Sequence, residues 1–287
     1  MNNIYLKANA KINLSIDILK KRDDGYHEVK MIMQSIDLHD DVYIETTDEG
    51  IYVDCDKPWV PTGSGNIAYK AAELLKKRYG IKKGIKIKII KNIPVSAGLA
   101  GGSTDAAAVI EGINKLFSLN LDQKELMELG KTIGADVPFC IKGGTMLSEG
   151  IGEILTPIES FNNVNIVAVK PKVSVSTVWV YKNLNLSDIL ERPNIPLILE
   201  AIKRKDIEYV AKNMKNVLET VTIKKYGVIE EIKQKLIELG ALGSMMSGSG
   251  PTVFGIFESR EKARFAYEKI KNNKWECFMA ETLCEEM

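Results

Sequence analysis

The sequence predicts an α+β protein of two lobes, and three observations predict it. Strand-like and helix-like segments interleave in both halves of the 287-residue chain, yet neither half keeps the regular alternation of a doubly wound parallel sheet. A polar stretch, Thr156–Asn163, holds Pro157 and two asparagines and reads as a boundary. Between Ile93 and Ile110 a glycine-rich loop runs directly into an alanine-rich helical pattern. The expected domains are residues 1–157 and 158–287.

From the N-terminus, Ile4–Ile18 alternates well enough for one or two strands, and Asp24-Gly25 in DDGYH signals a hairpin turn. Val29–Ile36 and Asp41–Thr46 read as two further strands. A helix is expected from Asn66 to Tyr79, with Ile67, Ala71, Leu74 and Leu75 on one face. Ile85, Ile87 and Ile89 alternate with lysines, giving a half-exposed strand before the glycine loop. Beyond the loop, Val109, Ile110, Ile113, Leu116 and Phe117 recur at helical spacing. Asp122 caps a helix with Leu126, Leu129 and Ile133 as its stripe, ended by Gly134. Gly143-Gly144 and Gly150–Gly152 mark turns between short strands.

The second half restarts with a strand at Asn165–Val169 and a loop, PKVSVST. Helical patterns follow at Ile195–Lys203, Asp206–Thr220 and Ile229–Leu239. GALGSMMSGSGPTVFGIF then reads as two apolar runs around a glycine turn. A helix, Arg260–Lys271, and a strand, Cys277–Leu283, complete the pattern.

Composition bounds the function. Lys+Arg at 39 against Asp+Glu at 38 leaves a net charge of +1, which argues against bulk nucleic-acid binding. Four scattered cysteines form no C-x-x-C pair, and only His27 and His39 are present, so a zinc cluster is not expected. The thiols fit a reducing compartment. The N-terminus mixes lysine and asparagine with apolar residues, unlike a signal peptide, and no run is apolar enough to span a membrane. A cytoplasmic enzyme or binding protein is expected.

The loop carries the chemistry. Gly98, Gly101 and Gly102 allow positive φ and close backbone approach, and the helix that follows offers unpaired N–H groups and a positive dipole end. Phosphate is the usual guest of such a site. The alternative is an ordinary turn capped by Ser103 or Thr104. The loop lacks the Walker A pattern and fits a dinucleotide fingerprint poorly. Lys11 and Asn13 stand on alternate positions, hence on one strand face, among Ala8, Ala10, Ile12 and Leu14. They are either outward-facing or functional. Asp136 follows Gly134-Ala135 and precedes Pro138, which biases Val137 toward extended backbone. It is a turn cap or a base for a substrate hydroxyl. Tyr26-His27 at a hairpin tip either stacks on and bonds a base or simply faces solvent. Ser247–Gly250, SGSG, either wraps phosphates or joins two strands.

Together these segments resemble the GHMP kinases. PVSAGLAGGSTDAA is similar to that superfamily's phosphate loop, and GSMMSGSGPTVFGIF to its C-terminal glycine motif. Within it, AKINL, RDDGYHEV, GADVPF and MSGSGPT are similar, in order, to motifs of the 4-diphosphocytidyl-2-C-methyl-D-erythritol kinases. RDDGYH is the discriminating piece. The resemblance implies an N-terminal domain like the second domain of ribosomal protein S five and a ferredoxin-like C-terminal domain. It implies ATP and Mg²⁺ as cofactors and a small-molecule acceptor, 4-diphosphocytidyl-2-C-methyl-D-erythritol, phosphorylated at its 2-hydroxyl.

Lys11 and Asp136 would form the catalytic pair, Asp136 as base and Lys11 holding it ionised, with Asn13 helping to orient the hydroxyl. Tyr26 and His27 would recognise cytosine, with Tyr181 on the opposite face of the base and Trp179 its nearby competitor. Pro94, Gly98, Leu99, Ala100, Gly101, Gly102, Ser103 and Thr104 would surround the ATP phosphates, and Asn66 would lie near adenine or ribose. Ser96, Ala97 and Ala100 replace glycines of the richest loops but are small enough for the same approach. Asp105 would cap N–H groups or support the metal; no metal ligand is assigned. A homoserine- or mevalonate-type kinase and a catalytically inactive nucleotide sensor are the competing functions.

Overall fold

The computed structural model describes residues 2–271 and 273–284. In chain order, the first elements are β1 (Asn3–Lys21), β2 (His27–Thr47), β3 (Ile51–Cys55), α1 (Ile67–Tyr79), β4 (Gly84–Ile90) and α2 (Gly101–Leu116). Next come α3 (Gln123–Ile133), α4 (Val137–Lys142), β5 (Thr145–Gly150), β6 (Ile154–Pro157), β7 (Asn165–Pro171) and α5 (Thr177–Asn183). The rest are α6 (Ile195–Lys203), α7 (Ile207–Asn213), β8 (Lys215–Asn216), α8 (Glu219–Lys225), α9 (Val228–Glu238), β9 (Gly243–Met246), β10 (Val253–Phe257), α10 (Arg260–Ile270) and β11 (Trp275–Glu281).

By packing, the chain divides into two units assembled from separate segments. The first comprises Met1–Ala10, His39–Val95 and Ala100–Lys142; the second comprises Lys11–Leu38, Ser96–Leu99 and Gly143–Met287. In the first unit, β4 pairs antiparallel with β2 from Asp41↔Ile90 to Thr47↔Gly84 and parallel with β3. Parallel neighbours need a crossover, and α1 supplies it. Ile85, Ile87 and Ile89 face a core shared with Val42 and Ile44 of β2, Ala68, Ala72 and Leu75 of α1, and Ala106, Val109, Ile110 and Ile113 of α2. Alanines on α1 and α2 let the two helices approach closely. Asp122 makes a full capping box with Glu125 at the start of α3.

In the second unit, the first half of β2 pairs antiparallel with β5, which turns back into β6. β8 pairs parallel with β1 at Ser15 and Ile16. A separate antiparallel sheet runs β11-β7-β10-β9. Every residue of β10 is buried, as are Ile229, Ile232 and Leu236 of α9 and Ala263, Ala266 and Ile270 of α10. These two helices supply the apolar cover of that sheet.

Three sequence expectations need correction. The two strands expected at Val29–Ile36 and Asp41–Thr46 are one strand of 21 residues, whereas Ile4–Ile18, expected as one or two strands, lies within one strand of 19. The polar Asp37–Asp40 stretch does not break β2, because the Asp40 carboxylate accepts the Asn92 and Ile93 N–H groups at 2.7 and 2.8 Å. The single helix expected over Asp206–Thr220 ends at Asn213; Lys215 and Asn216 join β1 as a strand, and α8 begins only at Glu219. Val137 is helical, the first residue of α4, with Pro138 in the first turn, where a missing N–H costs nothing. Three elements, β3, α4 and α5, had no counterpart in the sequence.

Candidate active site

In the first unit, the glycine loop opens into α2. Ala100 precedes the helix with φ 61°, and no side chain caps it. The alternative of a turn capped by Ser103 or Thr104 is therefore excluded. Both lie inside the first turn, and the Thr104 hydroxyl instead donates to the Asn9 carbonyl at 2.5 Å. The first N–H groups of α2 have no intrahelical acceptor and sit at the positive end of a 16-residue helix. A Cβ on Gly101 would lie 3.0 Å from Ile93 Cγ2 and 3.3 Å from Lys91 Nζ, so glycine is the residue that fits. Pro94 and Leu99 are buried and anchor the loop from within the chain.

Asp105, on the second turn, does something the sequence did not suggest. Its carboxylate accepts from Lys91 Nζ at 2.6 Å, and the same ammonium bonds Asp40 and the Gly101 carbonyl, the latter at 3.2 Å. All three side chains are buried. Burial pushes the Asp105 carboxyl up to about 8, outweighing the attraction of Lys91 and helped by the negative charge of Asp40. Asp105 thus neither caps α2 nor stands free to support a metal. Asp40 already receives two backbone N–H bonds on its other oxygen, whereas Asp105 Oδ1 is buried without a partner. The spare proton therefore belongs on Asp105.

The side chain of Asn66 is engaged at both ends. Oδ1 accepts the Ala68 N–H at 2.8 Å as the N-cap of α1, and Nδ2 donates to the Pro61 carbonyl at 2.7 Å. Asp136 directly precedes α4, and its carbonyl accepts the Cys140 N–H at 3.0 Å. Its side chain is half-buried.

In the second unit, Lys11 Nζ donates to Asn13 Oδ1 at 2.8 Å, and both residues are buried, 5% and 0% exposed. The outward-facing alternative is excluded for this pair. Asn13 Nδ2 packs on Met31 Sδ at 3.7 Å, and the Lys11 N–H donates to the Leu99 carbonyl at 3.2 Å. The strand carrying the lysine is thereby tied to the glycine loop.

The SGSG segment supports that same loop. Gly98 has φ 77°, and a Cβ there would lie 2.3 Å from the Ser247 carbonyl oxygen. The Ser247 hydroxyl donates to the Gly98 carbonyl at 3.0 Å, and the Thr252 N–H donates to the Ala97 carbonyl at 3.3 Å. Asn216 braces the segment, donating 2.8 Å bonds to the carbonyls of Met246 and Gly248 while accepting the Leu218 N–H. Two glycine loops lie backbone against backbone, which side chains would prevent.

At the turn after β1, the Asp24 carboxylate accepts the Tyr26 N–H at 3.0 Å and bonds Arg22. Tyr26 is 60% exposed, its ring offered to solvent. His27 lies against Tyr181 of α5, ring centroids 5.3 Å apart. Burial, with the nearby Lys21 charge, holds the His27 imidazole below its ordinary range, so it is neutral at pH 7 and both donates and accepts. Trp179 is engaged elsewhere, against Tyr226 and under Lys225 at 3.9 Å. Between the two competing aromatics, Tyr181 is the one beside His27.

Sequence reasoning missed Lys91, Asp40 and Asn216. For two of them a signal existed. Lys91 continues the buried parity of Ile85, Ile87 and Ile89, and Asp40 that of Val42 and Ile44. A charge on the buried parity of a strand demands a partner.

Two family models match the chain: GHMP kinases N terminal domain over residues 66–144, and GHMP kinases C terminal over residues 198–277. By fold and by these matches the chain is an ATP-dependent small-molecule kinase of the GHMP class. A protein of Acetivibrio thermocellus named 4-diphosphocytidyl-2-C-methyl-D-erythritol kinase is 67% identical over 99% of this chain and 100% of its own length. A crystal structure of 4-(cytidine 5'-diphospho)-2C-methyl-D-erythritol kinase superposes with a TM-score of 0.84 at 31% identity, covering 97% of this chain and 99% of the other. The chain belongs to the family of these kinases. A homoserine kinase from Cytophaga hutchinsonii shares the fold, with a TM-score of 0.78 at 19% identity over 99% and 96% of the two chains. Fold alone therefore does not select the acceptor. Among the described residues no helix is long and apolar enough to cross a membrane.

Proposed function

We propose that this kinase transfers the γ-phosphoryl group of ATP to the 2-hydroxyl of 4-diphosphocytidyl-2-C-methyl-D-erythritol, a step of non-mevalonate isoprenoid precursor biosynthesis in the cytoplasm. The observation that carries the reading is the 67% identity, over 99% of the chain, to a protein named for that kinase. In this reading Asp136 accepts the hydroxyl proton as the oxygen–phosphorus bond forms and the bond to the ADP leaving group breaks. Lys11, held by Asn13, orients the hydroxyl. His27 bonds the cytosine edge, and Tyr26 and Tyr181 offer it their rings.

Pro94, Gly98, Leu99 and Ala100 shape the loop, and the backbone N–H groups of Gly101, Gly102 and Ser103 receive the phosphates, with Thr104 just behind them, its own N–H bonded to the Ala100 carbonyl and its hydroxyl to the Asn9 carbonyl. Asn66 acts near the nucleoside through the turn it fixes ahead of α1. The described residues contain no group of three or more His, Cys, Asp or Glu able to hold a metal. Mg²⁺ asks for less, being bound by one or two carboxylates together with substrate phosphates and water, so this site fits a metal that enters with the nucleotide. The two family models lie on either side of a domain boundary at 157/158, which supports that division.

The test is incubation with Mg-ATP and each of three acceptors: the cytidylylated methylerythritol, homoserine and mevalonate. Phosphorylated product is expected from the first alone, detected by phosphorus NMR. Turnover of homoserine or mevalonate instead would overturn the acceptor, and no ATP consumption with any would favour an inactive sensor.

A further inference from the structure

Lys91 stands at the entry of the glycine loop and also touches its exit. Its backbone N–H donates to Asp56 Oδ1 at 2.8 Å at the end of β3, and the next two N–H groups, of Asn92 and Ile93, are held by Asp40 of β2. The entry is thus fastened to two strands. At the exit, the Lys91 ammonium reaches the carbonyl of Gly101, the first residue of α2, at 3.2 Å and the Asp105 carboxylate one turn further on at 2.6 Å. The ammonium is 5% exposed, and a Cβ on Gly101 would come within 3.3 Å of it, so chain and side chain are fitted closely.

We infer that Lys91 is a positioning residue for the nucleotide: its ammonium clips the exit of the glycine loop to its entry and so aims the first-turn N–H groups of α2 at phosphate. The physical reason is loop entropy. A loop whose ends are fixed together has less freedom to lose when a ligand orders it, and donors already aimed need no reorganisation. The Asp40 carboxylate keeps the buried ammonium charged, and the Asp105 carboxyl on its other side holds it in place. The inference rests on the reading that this turn holds the phosphates of ATP.

Two variants of the full chain test it, Lys91→Met and the double variant Lys91→Met/Asp105→Asn. The double variant also replaces the protonated Asp105 by its neutral amide, leaves Asp40 on its two backbone N–H groups, and keeps the proposal falsifiable where the single variant does not fold. ATP affinity is measured by calorimetry without acceptor, followed by kinetics. The expected result is a tenfold or greater loss of ATP affinity, a matching rise in KM for ATP, and kcat at saturating ATP within about threefold of wild type. KM for the acceptor should stay within about twofold. A merely structural lysine would lower the melting temperature and leave ATP affinity per folded molecule unchanged, which overturns the inference. A double variant that does not fold also overturns it, because the lysine would then hold the domain rather than aim the loop. Wild type that binds ATP yet phosphorylates no acceptor would sink the acceptor reading alone.

Discussion

Two buried lysines answer different needs. Lys91 lies between two carboxylates and serves the loop, whereas Lys11 donates to the neutral amide of Asn13 on the same strand face. Asp136→Ala is expected to lower kcat by about two to four orders of magnitude, the usual contribution of a positioned general base. Single-turnover kinetics with saturating ATP measure it, and unchanged turnover would remove Asp136 from the chemistry. Tyr26→Ala is expected to raise KM for the acceptor about 5- to 150-fold, because stacking on a base contributes roughly 1–3 kcal/mol. Steady-state kinetics decide: a fall in kcat at constant KM would mean that the exposed ring does not hold cytosine. The shared strand face of Lys11 and Asn13 and the turn that carries Tyr26 and His27 were legible in the sequence because each stands in a short local pattern. Lys91 and Asp105 were not, since their relation spans a strand, a loop and a helix turn.

Among the elements, the phosphate loop is held from behind by the SGSG segment. Gly98→Ala would place a methyl group 2.3 Å from the Ser247 carbonyl oxygen at a φ of 77°, forcing the two backbones apart. Such a clash is expected to cost about 2–4 kcal/mol, within the range of overpacking and strain combined. Gly25→Ala is the control: φ is 86°, but no atom lies within 4 Å, so only backbone strain of about 1 kcal/mol is at stake. Urea unfolding of both variants measures the difference, and equal losses would contradict the backbone-against-backbone packing. The sequence offered SGSG as a phosphate wrap or a strand turn. Its role as a brace depends on Asn216, a residue in a stretch that reads as helix, whose side chain reaches the carbonyls of Met246 and Gly248. Helix periodicity from Asp206 to Thr220 hid that interruption, because two residues of strand leave no periodic trace. The long strands were misread for the opposite reason: Asp37–Asp40 looks like a loop in composition, and only the backbone donors of Asn92 and Ile93 explain why it is not.

At the scale of the whole molecule, stability should carry the imprint of one buried proton. The Asp105 carboxyl, pushed from its ordinary 3.8 up to about 8, holds a proton in the folded chain that the unfolded chain has released over that interval. The groups around it are Lys91, Asp40 and, from the end of β3, Cys55 and Asp56. Folding stability from this carboxyl is therefore full below about pH 4 and is lost as pH rises toward 8, at up to about 1.4 kcal/mol per pH unit. Unfolding of wild type and Asp105→Asn at pH 5 and pH 8 isolates it, since other titrating groups are common to both. Wild type is expected to lose more stability across that interval; equal losses would place the proton elsewhere. The α+β class and most helices were legible from periodicity, and the family from four short motifs, while the acceptor was not a matter of fold. The acceptor is decided by the phosphorus NMR spectrum after incubation with Mg-ATP and 4-diphosphocytidyl-2-C-methyl-D-erythritol. A new phosphomonoester resonance coupled to the 2-position, formed with one ADP per product, is the result expected. ATP left intact beside unchanged acceptor would contradict the claim.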